Sequence, residues 1–111
     1  MKIEDGLPDN PLDEPAEARV ARGARLLDEY WGPGWRDRID RDRLDMNHED
    51  DCMLGQLFDS YWAGLRHLGI VNHVQASRYG FQACVDYAID VEALAALKPV
   101  WLAELDQATT P

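Results

Sequence analysis

The chain has 111 residues, 46% of them apolar and 29% charged, with a formal net charge of −10 at pH 7. Such a length holds one domain, and the composition suits a packed core better than a disordered acidic polymer. The charge opposes non-specific binding to nucleic acid or anionic membranes, no apolar run nears the roughly 18 residues of a membrane span, and Cys52 and Cys84 alone make no disulfide framework.

Residues 1–15 hold Pro8, Pro11 and Pro15 with only Ile3, Leu7 and Leu12 as large apolar groups, and read as a flexible acidic arm ahead of a single helical domain over 16–111. Through Ala18, Lys2 faces Glu4, Asp5, Asp9, Asp13, Glu14 and Glu17, so half of the net charge lies there. Asp13 suits an N-cap, and Val20, Ala24, Leu27 and Trp31 recur at spacings of 4, 3 and 4, which predicts an amphipathic helix over about 14–31. Arg19, Arg22 and Arg25 occupy the other face. Gly32-Pro33-Gly34 ends the helix.

Trp35 and Ile39 predict one short helical turn, and Leu44 and Met46 an extended stretch. Leu54, Leu57, Phe58, Tyr61, Leu65 and Leu68 then form a broad apolar stripe, predicting one central, most buried helix capped by Asp50 or Asp51 and closed by Gly69. Gly55 and Gly64 inside it each cost about 1 kcal/mol relative to Ala, which marks close approach of a neighbour. A short helix over about 73–79 is capped by Gly80, and Phe81 docks back on the core. Asp90 caps a last helix carrying Leu94, Leu97, Trp101 and Leu105, which Pro99 bends or splits. Val85 to Ile89 is strand-like but lacks a convincing partner strand. The expected fold is all-α, a small irregular bundle of four to five helices.

Tests for chemistry return little. His48-Glu49-Asp50-Asp51-Cys52 gathers metal-capable groups, yet neither cysteine has the paired spacing of a structural zinc site, and the acids suit a helix N-terminus. Asp40, Asp42 and Asp45 imitate a calcium loop without its glycine or closing glutamate, and Arg41 and Arg43 interrupt them. Cys52, Cys84, Ser60 and Ser77 could act as nucleophiles beside His67 or His73, but no nucleophile elbow, phosphate loop or HExxH pattern accompanies them. No catalytic, metal or cofactor residue is therefore assigned. Seven arginines against five acids over residues 19–43 make that stretch locally basic, and Arg36 to Arg43 could present guanidinium forks to an anion, although mutual neutralisation on a solvated face explains them as well. Among the four tryptophans, Trp62 and Trp101 read as core, whereas Trp35, beside a turn and a charge run, reads as an exposed anchor.

The blocks RVARGARLLDEYWGPGWRDRIDRDRLDM, CMLGQLFDSYWAGLRHLGI and ASRYGFQA resemble a group of small uncharacterised proteins of actinobacteria and their bacteriophages. Those read as RGAxLLDE, PGWxxxIDxxxLD and CVLGQLxGSYxxGL, followed by a YGF-like segment and an acidic C-terminal helix with a tryptophan. The resemblance covers about residues 19–105. It departs at Asp59, where glycine is often seen, and at Asp51, which replaces a cysteine-containing turn. It implies a phage or prophage accessory protein in a bacterial cytoplasm and supplies no catalytic residue.

Together these features favour a small acidic protein–protein interaction module that binds a host or phage protein, preferably a basic one. The partner-binding candidates are Trp35, Arg36, Arg38, Asp45, Glu49, Asp50 and Asp51. Mimicry of DNA by spaced carboxylates is a minority version, because arginines interrupt the acids. The alternative class is a small enzyme or a ligand- or metal-binding domain using the His48–Cys52 cluster or the arginine-rich turn over 36–43. The aromatic content is also compatible with a homodimer.

Overall fold

The computed structural model describes residues 10–85 and 88–108, an irregular assembly with six α-helices and one two-stranded hairpin among them. The fold is the expected all-α bundle, with six helices against the expected four to five because the predicted central helix divides as well as the last one. Residues 1–9 of the expected arm lie outside the described residues. Its last six are tied to the domain: Pro11 is buried, a 3-10 turn spans Pro11–Asp13, and Glu14 forms a bidentate pair with Arg22 at 2.6 and 2.8 Å.

Helix α1 (Ala16–Trp31) starts after Pro15 without a side-chain cap. Asp13 therefore does not cap it, because the 3-10 turn takes up that residue. Its buried face carries Val20, Ala24 and Leu27, as the periodicity predicts. Gly32, at φ +88°, ends it in a backbone conformation open to glycine at little cost. A 3-10 helix over Pro33–Arg38 follows and drives Trp35 inward.

The predicted central helix is two helices. α2 (Met53–Phe58) stops at Asp59, which is left-handed at φ +77°, and α3 (Tyr61–Leu68) restarts with Ser60 as cap, its Oγ accepting from the Ala63 N–H at 3.0 Å. The continuous apolar stripe hid this break, since both short helices turn their stripes to the same core. α2 is capped by neither Asp50 nor Asp51: the Cys52 Sγ accepts from the Gly55 N–H at 3.3 Å. The interior glycines do mark close approaches. A Cβ on Gly55 would lie 2.3 Å from the Glu49 carbonyl oxygen, and one on Gly64 2.7 Å from the Leu54 Cβ.

Helix α4 (His73–Arg78) is capped by Asn72, and its exit leads through Gly80 to buried Phe81. Strands β1 (Cys84–Val85) and β2 (Ala88–Ile89) pair antiparallel, Cys84 opposite Ile89 and Val85 opposite Ala88. The strand-like run is thus its own partner, a folded-back pair too short to show as two separate runs. Asp90 caps α5 (Val91–Ala95) by accepting from the Ala93 N–H, and α6 (Leu97–Ala108) follows. The split expected from Pro99 falls at Ala96, which leaves the proline in the first turn of α6, where a missing N–H goes unnoticed.

The core centres on Trp101 of α6. Its ring stacks on Phe81 at 5.6 Å, meets Trp35 edge-on at 6.1 Å, and donates its indole N–H to the Gly80 carbonyl at 2.7 Å. Val20, Leu27, Leu97 and Leu105 are buried in the same core. Arg22 locks the periphery by also donating to the Arg78 carbonyl at 2.7 Å, joining residue 14, α1 and α4.

Candidate functional site

Trp35, expected as an exposed anchor, has no solvent exposure at all. Its neighbours in sequence are charged, but the 3-10 turn points the indole at Trp101, and its N–H donates to the Asp28 Oδ1 at 2.8 Å. The same Asp28 binds Arg36 at 2.6 Å, and the guanidinium lies 4.4 Å above the Trp35 ring. Burial alone would raise the Asp28 pKa, but the hydrogen bonds from Arg36 and Trp35 outweigh it and hold the carboxyl below its ordinary value. Arg38 covers the Trp31 ring at 4.8 Å, Arg41 pairs with Asp106, and Arg43 pairs with Asp51 at 2.7 Å. The arginine-rich turn is therefore largely consumed by acids and aromatics of neighbouring segments, Asp28, Asp51, Asp106, Trp31 and Trp35, a neutralised arrangement rather than an open anion fork.

The acids over 45–51 diverge. Asp45 accepts from the Asn47 N–H at 3.0 Å, Asp50 is exposed, Asp51 faces Arg43, and Glu49 accepts from the Trp62 indole N–H at 3.0 Å. Among the described residues, no group of three or more His, Cys, Asp or Glu is placed to hold a metal ion. The serine candidates have structural work: Ser60 caps α3, and the Ser77 hydroxyl donates to the His73 carbonyl while accepting from the Cys84 N–H.

The exposed tryptophan is Trp62, expected in the core but 51% exposed. It lies on the outer face of α3, one residue past Tyr61, which turns inward. Their rings meet edge to face at 5.3 Å, and His73 stacks on Tyr61 at 5.7 Å and sits 5.2 Å from Trp62. Tyr61 and His73 share a hydrogen bond of 2.9 Å. Desolvation pushes the Tyr61 phenol up to about 12, against the lowering effect of a hydrogen bond to Gln82. These rings wall a cleft of about 180 Å³ whose rim includes His48, Glu49 and Ile89. Cys52 lies at its base, with a thiol that burial pushes up, which makes it a poor nucleophile.

A second concavity is wider, about 420 Å³, and is lined by Tyr30, Trp31, Leu57, Phe58 and His67. α1 supplies the first two at its C-terminal end, α2 the next two, and α3 the imidazole. Phe58 stacks on His67 at 5.3 Å and takes Tyr30 and Trp31 edge-on at 5.5 and 5.2 Å, while the Tyr30 hydroxyl and His67 Nδ1 share a hydrogen bond of 3.0 Å. Tyr30 nevertheless remains 47% exposed. Sequence reasoning missed this groove because Tyr30 and His67 are 37 residues apart, and only the break at Asp59 sets α3 against the end of α1.

Among the described residues, no helix is long and apolar enough to cross a membrane. No family model matches the chain, and no curated protein sequence or solved structure shows significant similarity to it.

Proposed function

We propose that this chain is a small protein–protein interaction module, and that the aromatic groove formed by Tyr30, Trp31, Leu57, Phe58 and His67 is its contact face. The observation that carries this reading is the groove itself. Five residues from three helices line an open concavity at the surface, in which Tyr30 and His67 stay exposed over buried Leu57 and Phe58, although burying the Tyr30 ring would have added to stability. Rigid aromatics beside a concavity are the features that dominate binding energy at protein interfaces. The net charge of −10 and the outward acids Asp45, Glu49 and Asp50 favour a basic partner through long-range steering.

The resemblance to actinobacterial and phage proteins supports a setting, a phage or prophage accessory role in a bacterial cytoplasm. In keeping with it, Asp59 adopts the left-handed conformation that glycine, the residue often seen there in the resembled pattern, takes without strain. A photo-cross-linking residue at position 30 should capture a host or phage protein from infected-cell lysate. The same residue at exposed position 92, outside the groove, should not. Equal capture from both positions, or from neither, contradicts the reading.

A further inference from the structure

The cleft beside Trp62 calls for a different ligand. Its walls are aromatic, Trp62 and Tyr61 with the His73 imidazole, and its charged wall is the Glu49 carboxylate. That carboxylate accepts from the Trp62 indole through Oε2, which fixes the indole against the acid and leaves the carboxylate's charge lining the cleft. Asp45 and Asp50 are exposed within five residues of Glu49 in the chain, and Arg43, the arginine closest to Glu49 in sequence, is paired with Asp51. An anion entering here meets the Glu49 carboxylate. A purely apolar group forgoes the carboxylate. A cation gains both the ring face and the charge. At about 180 Å³ the cleft lies below the roughly 300 Å³ at which sites for drug-sized molecules begin, so it suits a head group rather than a nucleotide or sugar phosphate.

We propose that this cleft is a binding site for an alkylammonium group, held over the face of the Trp62 ring and beside the Glu49 carboxylate, with Tyr61 and His73 as its back wall. The cation can come from a free amine or from a lysine-type side chain, and both present the same chemistry. Tyr61 and His73 act as positioning residues: they stack on each other, share a hydrogen bond, and both meet the Trp62 ring edge to face.

The test is a titration of the full chain with tetramethylammonium chloride, followed at the Trp62 indole N–H resonance, with tert-butanol as the neutral analogue of similar size. Saturable binding in the millimolar range is expected for the cation alone, as is usual for a single cation–π site with one carboxylate. Glu49→Gln, which retains an acceptor for the indole, should weaken the cation about tenfold and leave tert-butanol unchanged. Trp62→Leu, which removes the indole resonance and is therefore followed at the His73 ring and Glu49 backbone amide resonances, should abolish binding, with an unaltered thermal midpoint showing that the fold survives. A trimethyllysine peptide that binds more tightly than the free cation identifies a protein side chain as the source, and equal affinity identifies a free amine. Equal shifts with tert-butanol, or a Glu49→Gln variant that binds like the parent, overturn the proposal. Because none of the altered residues lines the Tyr30 groove, the outcome is independent of cross-linking at position 30.

Discussion

At the scale of single residues, environment separates side chains that composition treats alike. Tyr61 is buried with its phenol raised to about 12, so it stays protonated in the folded protein at a pH where an ordinary tyrosine, near 10, has ionised. A folded-state value above the unfolded one means the unfolded chain loses this proton first, so stability falls as the pH rises beyond about 10. Alkaline titration followed by tyrosinate absorbance should show a late component that disappears in Tyr61→Phe; a parent curve without it would contradict the burial described. Trp35 and Trp62 make the same point in opposite directions. Charged neighbours suggested an exposed Trp35, and the value of large aromatics in filling a small core suggested a buried Trp62, but side-chain direction depends on the local turn, which neighbours in sequence do not report. Asp59 adds a strained position. Replacing it with glycine should raise stability by about 0.5–1 kcal/mol, read as an increase in Tm, because the left-handed backbone at φ +77° costs a residue with a Cβ.

At the scale of elements, the helices legible in the sequence are those whose apolar spacing is long and uninterrupted. α1 was recovered to within two residues because Val20, Ala24 and Leu27 face inward, Trp31 continues their spacing, and Gly32 ends it. The stripe from Leu54 to Leu68 misled in one respect. Periodicity reports which face is buried and is blind to a reset of backbone direction, which here rests on the Asp59-Ser60 pair. Nor does a two-residue strand leave a pattern long enough to read, so the hairpin escaped. Helix contacts that depend on an absent side chain are similarly silent. At Gly23, which carried no sequence signal beyond lying on α1, a Cβ would sit 2.0 Å from the Tyr79 carbonyl oxygen and 3.2 Å from the Trp101 ring. Gly23→Ala should therefore destabilise by about 2–3 kcal/mol despite alanine's better helix propensity, measured by denaturant unfolding. A stabilised variant would show that α1 does not approach α4 this closely.

At the scale of the whole molecule, the charge of −10 is organised rather than uniform. Glu14 is held below its ordinary value by the hydrogen bonds from Arg22, and Asp28 by Arg36 and Trp35 against the opposing effect of burial. Both depressions add stability that is present above the ordinary carboxylate values near 4 and is lost as the pH falls through the lower folded-state values. The thermal midpoint should drop on acidification below about pH 4. Glu14→Gln should lose about 1 kcal/mol at pH 7 and show a shallower acid decline, since it removes a bidentate charge-assisted pair. With these acids and the arginines of the 36–43 turn committed to internal pairs, the surface features left for recognition are the outward carboxylates and the exposed aromatics, in two concavities that no single stretch of sequence contains.

The most direct test of the interaction reading is the dissociation constant of the captured partner for the parent chain, a Tyr30→Ala, His67→Ala double variant and Trp62→Leu. If the groove is the contact face, the double variant binds at least about tenfold more weakly with its fold intact, while Trp62→Leu binds within about twofold of the parent. A double variant that binds as tightly as the parent would contradict the proposed function.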